Sequence, residues 1–491
     1  MSKKTTAAFF LFLGYALALV PVYFLRAWAN DESWFLKDAY YFAGIFQGQG
    51  FWRYFFWQES YLIYGAVYWI AYSLLAAFLA PPAPLLIFRA LAYAACLAVP
   101  LTAAAEARRQ GRSGLFVLLL WLTFPMAWWT GKISGPEFFS VLAGLAGCFA
   151  ALRAERFAAV MLAAVLIGFS IGLKLNGVCY AVFAVAAGLA ARKPRTFVPG
   201  LLLGCLIGFY LANPFMILHP EYYWLRVQHY SPDKVYSLSH IAGILWNQDW
   251  HWDAMFNGGF FNWGLNPPAF LWFLFLAWAA GLRRSFLAAW FLAAGTSFLM
   301  SAFNARYVGW YWFPAISLLL VLAQDMRAET RLARVLIAAT LAANLAGNFP
   351  LIAGQYRSKA AHIRLVRQKE TLQHFLRDTA AGSPDPVDQI VLDVETDLGL
   401  DFSVFPPPEG KAAAKVEGYD AFQWLAEGGA QRMDAGKKIL VVQSGRFRAA
   451  RHWPGLSELL RASTAGYETR VFEGPGIEAA LLTKTGEAPA Q

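Results

Sequence analysis

The sequence predicts a polytopic α-helical membrane protein, with about 11 transmembrane helices and further juxtamembrane helices in the outer leaflet, followed by a C-terminal soluble α/β domain. Three observations lead there. Residues 1–352 carry 24 basic and 13 acidic side chains, 10.5% of that segment, whereas residues 353–491 carry 17 and 18, or 25%. A typical soluble domain is about 25% charged, so the first segment suits a bilayer and the second suits water. Within the first, apolar runs alternate with short clusters of Arg and Lys, the pattern that the positive-inside rule produces. The domains are thus a membrane domain at 1–352 and a soluble domain at 353–491.

Lys3 and Lys4 precede an apolar run from Ala7 to Ala27 that is long enough to cross the ~30 Å hydrocarbon core, which puts the N-terminus in the cytoplasm. The run continues into Trp28 without a small-residue cleavage site, so it reads as a retained span. Arg108, Arg109 and Arg112 mark the next cytoplasmic loop, and only one crossing can join the outer end of the first span to them. Two apolar segments compete for it. Residues 51–80 are dense in Trp and Tyr, an interfacial composition, and are assigned to helices along the outer leaflet. Crossings then fall near 85–105, 114–130, 137–152, 157–173, 177–191, 197–213, 267–282, 285–303, 308–325 and 334–352.

With the first span the count is odd, so residues 353–491 lie outside. That domain offers a helical lead-in at 356–380, strands at 389–393, 438–442 and 479–483, and loop punctuation at 406–408. It has no phosphate-binding glycine pattern, and the chain has no internal repeat. The four cysteines, Cys96, Cys148, Cys179 and Cys205, sit in apolar runs without metal-ligand spacing and read as small core residues. The net charge of +10 resides in the loop clusters, which argues against a nucleic-acid partner.

Four polar features stand out, and this topology sets all of them on the outer face. They are Asn30-Asp31-Glu32 after the first span, the loop from Trp129 through Lys132 to Glu137, the stretch Gly172-Leu173-Lys174, and Asn304-Ala305-Arg306-Tyr307. Each has an ordinary structural reading: Asn30 or Asp31 as a helix cap, Pro136 and Glu137 as first-turn residues, Lys174 as a snorkelling side chain. Together, carboxylates and cations near the membrane plane suit transfer of a group from a lipid phosphate. Phosphate is a weak base and leaves without protonation, so one carboxylate suffices to take the proton of the attacking acceptor, while Arg and Lys stabilise the departing charge. A glycosidase would need a second carboxyl group as acid.

At these residues the sequence resembles the multispanning C-type glycosyltransferases, in particular the branch holding protein O-mannosyltransferases and the lipid A aminoarabinose transferase. The likeness runs through Asp31-Glu32 with Ala39 and Gly44, the outer-leaflet helices, the loop from Pro125 to Glu137, Gly172 to Lys174, Asn213-Pro214, and Arg306-Tyr307 with Pro314. It departs at Pro81-Pro82, which here follows the second apolar segment instead of preceding it. The resemblance implies Asp31 as catalytic base beside Glu32, Lys174, Arg306 and Tyr307 as donor-phosphate ligands, and Lys132 and Glu137 as secondary outer-loop residues. It implies a polyprenyl-phosphate sugar as donor, an inverting transfer to a lipid, glycan or protein acceptor, and a bacterial inner membrane with the C-terminal domain in the periplasm.

The loop from His219 to Asn266 is rich in aromatic and polar side chains, and His219, Tyr222, Asp249, His251 and Asp253 are candidates to cover the acceptor or the lipid carrier. A plain interfacial belt accounts for many of those aromatics equally well. His251 and Asp253 lack a third placed ligand, so no metal or other cofactor is expected, although Glu137 leaves a divalent cation open through the resemblance. Two further functions fit parts of the pattern: a transporter or flippase for a lipid-linked or anionic substrate, and a polymerase or ligase using a diphosphate-linked glycan. The first expects charges deep within spans, whereas the charges here gather at span ends.

Overall fold

A computed structural model of the chain describes chiefly residues 3–24, 65–79, 83–112, 114–123, 135–217, 281–303, 317–325, 330–342, 387–393, 415–419, 438–444, 467–474 and 477–484. The described helices are α1 (Lys3–Phe24), α2 (Ala66–Phe78), α3 (Ala83–Arg109), α4 (Gly114–Thr123), α5 (Glu137–Arg153), α6 (Phe157–Leu173), α7 (Val178–Ala190), α8 (Phe197–Ala212), α9 (Arg284–Phe303) and α10 (Leu319–Asp325). The strands are β1 (Gln389–Asp393), β2 (Lys415–Tyr419), β3 (Lys438–Ser444), β4 (Tyr467–Gly474) and β5 (Ile477–Lys484). The chain divides into two units, one of residues 1–25, 42–77 and 86–357, the other of 26–41, 78–85 and 358–491.

In the helical unit the expected segments and the observed helices agree closely between residues 137 and 212. Charged or proline-containing stretches such as Ala154-Glu155-Arg156 and Lys193-Pro194-Arg195 separate them, and an apolar helix cannot run through such groups without burying them. Among the described residues α3 alone is long and apolar enough to cross a membrane by length and composition; the apolar stretch Thr6–Pro21 and helices such as α2, α6 and α8 are shorter.

Small residues decide how these helices meet. Gly204 and Gly208 of α8 face the Met161 and Val165 carbonyls of α6, and Gly168 faces the Cys205 carbonyl, each so closely that an added Cβ would overlap the oxygen. Such backbone approach is how helices pack where surrounding lipid is as apolar as their side chains. The outward faces of the same pair carry exposed leucines, Leu162 and Leu166 on α6 and Leu202, Leu203, Leu206 and Leu211 on α8. Further along, Tyr180 shares a 2.6 Å hydrogen bond with Ser317, Cys179 a 2.9 Å contact with Ser297, and Trp290 donates to the Ala315 carbonyl at 2.8 Å. The four cysteines are buried thiols.

Helix α2 lies in the aromatic-rich segment assigned to the outer leaflet, and its rings pack against α3. Tyr68, Trp69 and Tyr72 are buried within the protein. Phe88 of α3 stands edge-on to Tyr68 at 5.3 Å and lies over Tyr72 at 4.3 Å. Edge-on and offset aromatic contacts of this kind fix the start of α2 against α3.

The second unit contains a five-stranded sheet ordered β2-β1-β3-β5-β4, parallel from β2 through β3 and antiparallel beyond. Ile439, Leu440 and Val441 of β3 and Ala479 to Leu482 of β5 are buried in unbroken succession, so the middle of the sheet is covered on both faces. The three central strands are those expected. The two unexpected ones, β2 and β4, are the edges among the described strands, where charged residues such as Glu468 and Arg470 of β4 are tolerated.

Candidate functional site

Glu137 and Lys174, 37 residues apart in sequence, meet. Helix α5 begins after Pro136, which lacks an N–H and provides no side-chain cap, so the Glu137 carboxylate in the first turn lies near the helix's unpaired amide donors. Helix α6 stops at Leu173 because Lys174 turns to extended backbone, φ −151° and ψ 126°, before a 3₁₀ turn at Leu175–Gly177 leads into α7. Lys174 Nζ donates to Glu137 Oε1 at 2.5 Å, and both side chains are buried. The second carboxylate oxygen, Oε2, has no hydrogen-bond partner among the described residues.

The surroundings are polar and tightly fixed. One turn into α5 the Ser140 hydroxyl donates to the Ser170 carbonyl at 3.1 Å and shares a 2.9 Å hydrogen bond with the Ser170 hydroxyl. A Cβ at Gly177 would lie 2.6 Å from Ser170 Oγ, so only glycine lets the 3₁₀ turn close over α6. Asn213, at the end of α8, donates through Nδ2 to the Gly172 carbonyl at 3.1 Å and accepts through Oδ1 from the Ala66 amide at 3.3 Å. Gly65 N–H donates to the Leu173 carbonyl at 3.1 Å, and a Cβ on Gly65 would lie 2.8 Å from the Gly172 oxygen. The start of α2 and the ends of α6 and α8 therefore converge on the peptide that precedes Lys174.

The opposite end of α5 carries a second ion pair. Glu106 of α3 is buried and accepts from Arg153, with Arg109 at 3.9 Å. Gln110 Nε2 bridges Glu106 Oε1 and Gln324 Oε1, each at 3.3 Å, and Gln324 Nε2 donates to the Ala103 carbonyl at 3.0 Å. Arg112 also donates to the Gln324 carbonyl.

Of the residues singled out in the sequence, Glu137 and Lys174 are brought together. Asp31, Glu32, Lys132, His219, Tyr222, Asp249, His251, Asp253, Arg306 and Tyr307 lie outside the described residues. Among the described residues no three His, Cys, Asp or Glu side chains gather as a metal site. The sequence reading passed over Glu106, which adjoins the Arg108-Arg109 cluster, and the buried Arg89, although a lone charge inside an apolar run was a legible signal for Arg89. It noted Asn213 without a role, and it passed over the Ser140–Ser170 link, which left no signal because the two residues come from different helices.

No protein-family model matches the chain, and no curated protein matches it at significance. Its fold is similar to the crystal structure of ArnT from Cupriavidus metallidurans bound to undecaprenyl phosphate, with a TM-score of 0.55 and 15% identity over 99% of this chain and 100% of that one. It is similar also to the apo crystal structure of the same protein, with a TM-score of 0.56 and 16% identity over 97% and 98%. By fold, from end to end, the chain is similar to this one solved protein.

Proposed function

We propose that the chain is a membrane glycosyltransferase that moves a sugar from a polyprenyl-phosphate donor to an acceptor hydroxyl or amine on the outer face of the membrane, with inversion. The single observation that carries the reading is the whole-length likeness in fold to a protein crystallised with undecaprenyl phosphate. In this reading about 11 spans hold the site, the N-terminus is cytoplasmic, and the C-terminal α/β domain faces the periplasm and shapes access for a lipid, glycan or protein acceptor.

The reaction asks little of the protein beyond position and charge. Asp31, with Glu32 beside it, takes the proton from the acceptor as its oxygen or nitrogen attacks the anomeric carbon. The bond from that carbon to the phosphate oxygen breaks, and its electron pair leaves with the phosphate. Lys174, Arg306 and Tyr307 face the phosphate, the two cations stabilising charge as it grows there. Lys132 and Glu137 are secondary, and the aromatic loop with His219, Tyr222, Asp249, His251 and Asp253 covers the carrier or the acceptor.

The test is transfer in liposomes from a panel of polyprenyl-phosphate sugars, with native membrane extract as acceptor. Release of polyprenyl phosphate by the wild type and its loss in folded Asp31→Asn is the expected result. Turnover near normal in Asp31→Asn would remove Asp31 as the base, and no release from any donor would remove the reaction class.

A further inference from the structure

The contact between Lys174 and Glu137 bears on how the site handles phosphate. We propose that Glu137 competes with the phosphate for Lys174 and so limits how tightly the site holds the polyprenyl phosphate left after transfer. The inference rests on the proposed function, in which Lys174 is a donor-phosphate ligand.

At 2.5 Å from a buried carboxylate, the Lys174 charge is already neutralised by a group of the protein's own. A phosphate that arrives gains little from Lys174 until the ammonium exchanges one anion for the other. Three features let it do so. Lys174 sits at the break between α6 and the 3₁₀ turn, where its flexible stem carries a point charge that can be redirected, unlike the planar fork of an arginine. Glu137 retains a favourable field when the lysine turns away, because it lies in the first turn of the 17-residue helix α5, whose N-cap Pro136 makes no side-chain cap hydrogen bond. Its Oε2 has no hydrogen-bond partner among the described residues, so the pair is less completely satisfied than a purely structural buried pair needs to be.

The chemistry gives this exchange a direction. The donor phosphate is a diester with one negative charge. When the bond to the anomeric carbon breaks, the electron pair stays on the phosphate, and the resulting monoester carries about −1.5 to −2 near neutral pH. Any fixed cation therefore holds the product more tightly than the donor, and product release slows. A competing carboxylate reclaims Lys174 as the monoester departs and weakens the hold on it. Glu137 is in this sense a positioning residue, acting through Lys174.

The experiment measures binding of undecaprenyl phosphate to the full-length protein in detergent, together with its inhibition of transfer. Glu137→Gln keeps the shape and removes the charge that competes with phosphate for Lys174. Expected are roughly tenfold tighter binding, equivalent to about 1.4 kcal/mol, a lower KM for donor, and a lower kcat that reflects slow release. Where Glu137→Gln does not fold, Glu137→Asp is read in its place: the shorter side chain lengthens the pair and gives the same changes to a smaller degree. Binding by the folded variant that equals or falls below that of the wild type overturns the proposal. Lys174→Met separates the two levels of inference. If it weakens undecaprenyl phosphate binding while Glu137→Gln changes nothing, only the competition fails; if the wild type binds none, or Lys174→Met has no effect, the phosphate role of Lys174 fails first.

Discussion

Asn213 and Gly172 join the ends of α8 and α6 through a 3.1 Å hydrogen bond from the asparagine amide to the glycine carbonyl, and the same side chain receives the Ala66 amide at 3.3 Å. One buried amide thus serves three chain segments. An asparagine can do this because it has both donors and acceptors on one short, planar group.

Asn213→Leu is expected to lower stability, since it removes the hydrogen bonds to the Gly172 carbonyl and from the Ala66 amide. Hydrogen bonds of this kind contribute about 0.5–1.5 kcal/mol each. Thermal unfolding in detergent reads the loss, and a melting temperature equal to that of the wild type would show that these bonds are not what holds the joint.

The contact between α6 and α8 predicts a sharp contrast among glycines. Gly208→Leu sets side-chain atoms against the Val165 carbonyl and forces the helices apart, so little folded protein is expected. Gly14→Ala and Gly295→Ala place a methyl where nothing lies within 4 Å, and both should express and melt like the wild type or slightly above it. Size-exclusion profiles of the three variants check this, and a well-folded Gly208→Leu would contradict the packing.

For the ion pair between Glu137 and Lys174, the single and double substitutions should diverge. Lys174→Met alone leaves a buried carboxylate without its cation, and breaking one side of such a pair costs about 3–5 kcal/mol. The double variant Glu137→Leu, Lys174→Met replaces both charges with apolar groups and should regain most of that stability while donor binding stays weak. Recovery of donor binding in the double variant would remove Lys174 from the phosphate site.

Glu106→Gln tests the other end of α5, where Arg153 lies 16 residues and roughly 24 Å along the helix from Glu137. Arg153 and Arg109 are substantially exposed, so water screens the loss and a modest cost of up to about 1 kcal/mol is expected. Transfer per folded molecule should stay close to that of the wild type. A large fall in kcat with normal melting would link this end to the reaction.

How much was legible in the sequence varied with the kind of signal. Helix α6 runs from Phe157 to Leu173, and α7 and α8 end within a residue of their expected limits, because charge and proline interrupt apolar runs locally. The central strands β1, β3 and β5 were legible as apolar runs, while β2 and β4 were not, since an edge strand need not be apolar and its pairing comes from a distant neighbour. Asp31, Arg306 and the aromatic loop stood out as polar groups against an apolar background, which is a statement about composition and carries no geometry.

By itself the sequence determined that the first 352 residues suit a membrane and the rest suit water, and where several of the helices stop, because hydrophobicity and charge act residue by residue. Only the tertiary structure decided that Lys174 belongs to Glu137, that Asn213 ties α2 to α6, and that Tyr68 and Tyr72 pack on Phe88. Those pairings depend on which helices lie side by side, and in lipid that is set by close backbone fit and by the need to satisfy every buried polar group, neither of which shows in the order of the residues.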